Sequence, residues 1–173
     1  MRRTTWMKAS LAAVLLSLAV GGLATGQSGE KSFNATLSGV QEVPANSTTG
    51  IGDFRARLDA EETTLTYELN YSGLEGTSTL AAHVHLGQRG VNGGVSFFLC
   101  GGGGKPACPA TQGTVTGTVT ASDVIGPAGQ GIAPGEFAEI VAAMRSGVTY
   151  ANIHTDKHPG GEIRGQIKDP RSE

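Results

Sequence analysis

Most of this chain alternates apolar and polar residues with a period of two, and this pattern strongly restricts the folds open to it. Phe33, Ala35 and Leu37, for example, alternate with polar residues. Because successive side chains of a β-strand point to opposite faces, this period is typical of half-buried strands. Seven further short segments read as strands: residues 54–58, 65–71, 81–86, 95–99, 114–120, 148–154 and 162–167. The sequence therefore predicts an all-β fold, an antiparallel Greek-key-like β-sandwich or barrel of about eight strands.

One segment departs from this period and predicts a single short helix. Its apolar residues recur at the i, i+3, i+4 and i+7 spacing of one helix face: Phe137, Ile140, Val141 and Met144. Pro134 lies near the expected start of the helix and Gly147 near its end. We expect the helix, over residues 134–145, to cap one opening of the sandwich with its apolar face in the core.

Residues 1–26 have the organisation of a secretory signal peptide. Arg2, Arg3 and Lys8 precede an apolar run over residues 11–20, and small residues follow at positions 24–26. The run is shorter than the roughly 20 residues of a membrane span, although an uncleaved anchor remains an alternative. The arginine pair leaves both the general secretory and the twin-arginine route open. Cleavage would leave residues 27–173 as one domain of 147 residues with no membrane span.

The charge of the mature chain restricts its partners. Loss of the three basic residues of the signal peptide leaves ten basic residues against fifteen acidic ones, a net charge of −5. Nucleic acids and anionic membranes are bound by basic patches, so neither is an expected partner. An unknown protein or cell-envelope partner fits this surface better.

Two cysteines bracket a glycine-rich loop in this exported chain. Cys100 and Cys108 are separated by Gly101-Gly102-Gly103-Gly104-Lys105-Pro106-Ala107. Exported proteins meet an oxidising environment, so the pair is expected to form a structural disulfide. The spacing excludes a CxxC redox motif.

Several motifs resemble those of the CHRD family, a domain first named from chordin and also found in secreted bacterial proteins. They are Leu37-Ser38-Gly39-Val40-Gln41-Glu42-Val43-Pro44, Ala81-Ala82-His83-Val84-His85-Leu86-Gly87 with Asn92-Gly93-Gly94-Val95, Asn152-Ile153-His154-Thr155, and Pro159-Gly160-Gly161-Glu162-Ile163-Arg164-Gly165-Gln166. The likeness spans Phe33 to Ile167. Ala45 stands where the family commonly has a second proline, and His158 is not a usual family position. The resemblance implies an extracellular all-β module, but fold-level analogy does not fix an activity.

All four histidines lie in two similar hairpin segments. His83 and His85 project from one face of one predicted strand, and His154 occupies a matching place in the second hairpin. If the hairpins pack side by side, these three imidazoles suit copper or zinc, and His158 is a further candidate ligand from its loop. The alternative is structural: each imidazole bonds a backbone carbonyl or a carboxylate such as Glu42, Asp156 or Glu162 and binds no metal.

Enzymatic motifs are scarce in this sequence. Glu42 and Glu162 suggest paired carboxylates of a hydrolase, but an ion pair with Arg164 is the simpler interpretation. No nucleophile elbow, phosphate loop or dinucleotide fingerprint is present, and Tyr67, Tyr71 and Tyr150 are expected in the core. The first hypothesis is a secreted, non-enzymatic CHRD module with a binding or structural role. The second is a copper- or zinc-binding protein using His83, His85 and His154, with superoxide-dismutase-like redox chemistry as one form of it.

Overall fold

The structure is a computed structural model that describes residue 1 and residues 31–172. The predicted signal peptide therefore lies outside the described residues, apart from Met1. The strands are β1 (Ser32–Ser38), β2 (Ile51–Leu58), β3 (Leu65–Ser72), β4 (Thr79–Leu86), β5 (Val95–Cys100), β6 (Gly113–Val119), β7 (Thr149–Thr155) and β8 (Ile163–Gln166). The helix is α1 (Phe137–Arg145), and short 3-10 turns occupy Gly39–Gln41, Ala121–Asp123, Ala128–Gln130 and Pro170–Ser172.

The eight strands form one antiparallel sheet that curls into a nearly closed barrel. Their order across the sheet is β5-β4-β7-β8-β1-β2-β3-β6, so β5 and β6 are the two edges. These edges contact each other and bring the sheet close to closure. The predicted all-β fold is confirmed, in its barrel form.

The core fills the inside of this barrel, as the alternating pattern predicts. Along β2, Phe54, Ala56 and Leu58 are buried while the residues between them are exposed. One continuous apolar cluster includes residues from all eight strands and from the helix. The predicted strands and their inward-facing residues are therefore confirmed.

The helix packs against this core through the predicted face. Its four buried residues are those of the i, i+3, i+4 and i+7 pattern: Phe137, Ile140, Val141 and Met144. The helix begins at Phe137, three residues after Pro134. Gly135 takes a left-handed conformation with φ of +88°, which a continuous right-handed helix does not contain. Within the described residues, no helix is both long and apolar enough to cross a membrane.

The two histidine-bearing hairpins are neighbours in the sheet. β4 pairs with β5, β7 pairs with β8, and β4 also pairs with β7 along nearly its whole length. In this register His83 lies opposite Asn152 and His85 lies opposite Tyr150. The side-by-side packing on which the metal hypothesis depended is therefore present.

Candidate functional site

The central pairing of β4 with β7 brings three histidines together on the outer face of the barrel. Ala82 and Val84 of β4 point into the core, so His83 and His85, which alternate with them, point outward. His154 projects from β7 beside them, with its backbone opposite Ala81. One ring nitrogen from each histidine lies within 4.8 Å of the other two.

The imidazole of His85 is buried although it projects from the outer face, because residues 87–94 fold back over it. The guanidinium of Arg164 on β8 donates to the Val91 carbonyl at 2.7 Å and to Asn92 Oδ1 at 3.1 Å. The Asn92 amide in turn donates to the Val43 carbonyl at 3.0 Å. The loop is thus held at both its middle and its end. His85 remains only 8% exposed beneath it.

A hydrogen bond to this loop determines which nitrogen of His85 carries the proton. His85 Nδ1 lies 2.9 Å from the Gly93 carbonyl oxygen, which only accepts, so Nδ1 is the donor. In the neutral ring Nε2 then holds a lone pair. That Nε2 lies 2.9 Å from His83 Nδ1, so His83 donates to His85. The two imidazoles of β4 are therefore joined by one hydrogen bond whose direction is fixed, from His83 Nδ1 to His85 Nε2.

His154 is oriented by the same kind of bond. Its Nδ1 donates to the Pro159 carbonyl at 2.9 Å, which leaves the lone pair on Nε2. That Nε2 is buried and has no hydrogen-bond partner among the described residues. A carbonyl bonded to one ring nitrogen is the usual way in which the other nitrogen of a ligating histidine is aimed at a metal. His85 and His154 both have this arrangement.

Burial keeps the three rings uncharged. Desolvation, with smaller effects of the neighbouring histidines, lowers the pKa of His83 to about 3. Desolvation also lowers the pKa of His85 to about 4, against the opposing effect of its bond to Gly93. Burial likewise lowers the pKa of His154 below its usual value. All three imidazoles are neutral near pH 7, the state in which histidine ligates metals.

Tyr150 and Arg164 form a stack against His85, and the sequence interpretation missed the role of both residues in it. The Tyr150 ring stacks on His85 with ring centroids 4.7 Å apart, and the Arg164 guanidinium carbon lies 3.4 Å above the other side of Tyr150. The prediction that the tyrosines pack in the core is right for Tyr67 and Tyr71. Tyr150 is buried as well, but in this polar layer outside the apolar cluster. The shared face of residues 150, 152 and 154 was the available clue.

The sequence model of the CHRD domain family matches residues 33–167, which include every residue of this cluster. The chain belongs to the CHRD domain family. A comparison with curated protein sequences gives no match. The outer-face histidine cluster is therefore a feature of a CHRD domain, and its chemistry has to be argued from its own residues.

The carboxylates of this CHRD domain do not form the ion pair expected from the sequence. Among the described residues, no carboxylate pairs with Arg164, whose partners are loop oxygens and Tyr150. The expected ion pair of Arg164 is therefore wrong, because residues 87–94 supply oxygens that alternation alone does not reveal. Of the two kinds of partner left open for the histidines, carbonyls and not carboxylates accept the Nδ1 protons of His85 and His154.

Glu162 and Glu42 instead have separate partners. Glu162 accepts hydrogen bonds from the hydroxyls of Thr48 at 2.7 Å and Thr155 at 2.6 Å, and from the Glu75 amide at 2.7 Å. Glu42 accepts from the Asn152 amide at 2.6 Å. Desolvation raises the pKa of Glu42 to about 7, despite its bond to Asn152 and the nearby Arg164 charge.

His158 lies apart from the cluster. Its backbone closes the turn after β7, with its carbonyl accepting from the amides of Thr155 and Gly161. Its Nε2 is buried without a partner among the described residues, yet it is not a member of the three-histidine group. The disulfide between Cys100 and Cys108 is present, as the sequence predicts.

The three imidazoles of this CHRD domain lie near the spacing of copper or zinc ligands. With metal–nitrogen bonds of about 2.0–2.1 Å, two ligand atoms of one ion are about 4.2 Å apart at opposite positions and about 3.3 Å apart at a tetrahedral angle. The ligand nitrogens lie within 4.8 Å of one another, so a pair at this limit would have to approach by about 0.6 Å for opposite positions and by about 1.5 Å for a tetrahedral angle. The 2.9 Å between His83 Nδ1 and His85 Nε2 already corresponds to an angle of about 90° at such an ion.

Proposed function

We propose that this protein is an exported, non-enzymatic CHRD module with a binding or structural role in the cell envelope or outside the cell. The observation that carries the proposal is the Cys100–Cys108 disulfide. Structural disulfides persist in oxidising compartments, and the N-terminal sequence has the organisation of an export signal. The acidic mature chain favours a protein or envelope partner over nucleic acid.

The bonding of the two buried carboxylates supports a role without catalysis. Glu162 is held by three hydrogen bonds, and Glu42 is bonded to Asn152. A catalytic acid and base must instead face a substrate within hydrogen-bond reach. Here each of the two carboxylates holds neighbouring segments of the chain together.

Export is tested by expressing the whole chain with its own N-terminus and analysing the fractions by mass spectrometry. We expect the mature protein outside the cytoplasm, beginning at residue 27, with Cys100 linked to Cys108. Replacing Arg2 and Arg3 by lysine should block export only if the route is twin-arginine. A full-length cytoplasmic product with free thiols would contradict the proposal.

A second candidate function is binding of copper or zinc by His83, His85 and His154. The observation that favours it is the convergence of three neutral imidazoles, two of them aimed by backbone carbonyls. One buried nitrogen, His154 Nε2, has no other partner among the described residues. Three histidines without thiolate suit Cu(II) and Zn(II).

Competition titration of the tag-free exported protein against a chelator measures this affinity. We expect the variant His83→Ala/His85→Ala to bind Cu(II) at least about 100-fold more weakly, since even outer-shell changes cost 10–100-fold. The His158→Ala variant is the matched control and should bind like the wild type. Equal Cu(II) affinity in the wild type and the double variant would eliminate the metal site, provided that circular dichroism shows both proteins folded.

A further inference from the structure

We propose that the three-histidine site, once loaded with Cu(II) or Zn(II), is an open centre that takes one small anion from solution as its next ligand. This inference rests on the metal-binding candidate and specifies what that site recognises. It depends on three features of the cluster: which nitrogens bind, what charge they bring, and how many positions on the ion they leave free.

The hydrogen bonds assign the ligand atoms. His85 and His154 each have Nδ1 committed to a carbonyl, so each presents Nε2 to the ion. His83 presents Nδ1, the atom already 2.9 Å from His85 Nε2. Binding replaces that hydrogen bond, and the His83 proton moves to its own Nε2 with no change in the charge of the ring.

These ligands bring no negative charge to the ion. The group contains three neutral histidines and, among the described residues, no cysteine or carboxylate. Arg164 adds a positive charge behind Tyr150, and Glu42 is bonded to Asn152 on the neighbouring strand. A divalent ion in this largely desolvated place would keep its full charge, and an unpaired buried charge is costly. Glu42 could act on the ion only across Asn152, whereas an anion from solvent can bind the ion itself.

Aromatic rings pack against two of the three histidines. Phe98 stands edge-on against His83 with ring centroids 4.9 Å apart, and Tyr150 covers the face of His85. His154 is the least buried of the three residues, although its Nε2 is itself buried, so an anion from solvent would have to enter beside this side chain. Three protein ligands leave the fourth position of a four-coordinate ion for water or substrate. The enclosing rings favour ligands of one to three atoms, such as chloride, hydroxide or azide.

The probe is sodium azide, titrated into the exported protein loaded with one equivalent of Cu(II). We expect a new azide-to-copper absorption band that saturates at one azide per copper, together with a changed electron paramagnetic resonance spectrum. The His158→Ala variant should give the same response, which would place the bound azide at the three-histidine cluster.

The outcomes separate this inference from the metal site itself. Stoichiometric copper binding with spectra that do not respond to azide would overturn the open centre and leave metal binding intact. A protein that binds no copper above the level of the folded His83→Ala/His85→Ala variant would overturn both. An azide band that disappears in His158→Ala would assign the copper to a different place and would also overturn the inference.

Discussion

Glu162 shows how a charged residue can be wholly buried in this fold and remain ionised. Its side chain is 0% exposed. Burial alone would raise its pKa, but hydrogen bonds from Thr155, Thr48 and the Glu75 amide outweigh that effect and leave the pKa lowered. Because these donors come from separate parts of the chain, the carboxylate ties the β1–β2 connection and the β3–β4 connection to β7.

Replacing Glu162 by glutamine should therefore destabilise the protein substantially. Glutamine would place an NH2 group where one carboxylate oxygen now accepts from a hydroxyl or an N–H group, and two donors would then face each other. We expect the free energy of unfolding to fall by about 3 kcal/mol. Urea unfolding at pH 7 measures the change. The exposed Glu61→Gln variant is the control and should stay within about 0.5 kcal/mol of the wild type. Equal unfolding midpoints for all three proteins would show that the carboxylate is not structural.

The pKa of Glu42 is raised, whereas that of Glu162 is lowered, so Glu42 makes the stability of the protein fall as the pH rises. Its pKa rises from 4.5 to about 7 on folding, so the folded state holds the proton more tightly than the unfolded chain. The resulting stabilisation is fully present below about pH 4.5 and is lost as the pH rises through about 7. The neighbouring Arg164 charge opposes the shift but does not cancel it.

Glutamine at position 42 mimics the protonated side chain and removes this titration. Relative to the wild type, Glu42→Gln should gain stability between pH 5 and pH 8, by at most about 3 kcal/mol. Its oxygen can still accept from the Asn152 amide. Thermal unfolding of both proteins across this range measures the difference. A stability difference that does not change with pH would show that Glu42 titrates normally.

At the scale of the elements, the alternation of apolar and polar residues predicts each strand but not its neighbours. The likeness of the two histidine hairpins raised the question whether they pack together, and β4 does pair with β7. The order of the other strands was not predictable. Alternation with a period of two indicates which face of a strand is buried, but it does not indicate which strand lies beside it.

The loop between β4 and β5 shows the same limit more sharply. Its glycines and Asn92 predict turns, but not that it folds back over His85 and receives Arg164 from β8. Gly93 is required by this path, because a Cβ placed there would lie 1.6 Å from the Leu86 carbonyl oxygen. Three of the candidate ligands were therefore visible in the sequence. The contacts that orient and bury them depend on long-range packing.

At the scale of the whole molecule, the seam between the edge strands β5 and β6 is closed by side chains and a loop in place of an eighth ladder. The edges β5 and β6 are not hydrogen-bonded as strands. The Tyr67 hydroxyl crosses from β3 to the Leu99 carbonyl at 2.7 Å, and the Lys105 ammonium donates to the Thr118 carbonyl at 2.7 Å. The disulfide anchors this connecting loop to the end of β5. The contact between β5 and β6 is thus supported by the disulfide as well as by hydrogen bonds.

Removing the disulfide should loosen the seam before the rest of the barrel. Closure of a loop with a sequence separation of 8 stabilises by about 2.5 kcal/mol in the chain-entropy estimate. The Cys100→Ala/Cys108→Ala variant should lose about that much in urea unfolding and become insensitive to reductant. Amide hydrogen exchange should accelerate in β5, β6 and residues 101–112 while the β1–β2 ladder keeps its protection. Uniform acceleration over all strands would instead mean that the barrel opens as one unit and that its seam has no separate stability.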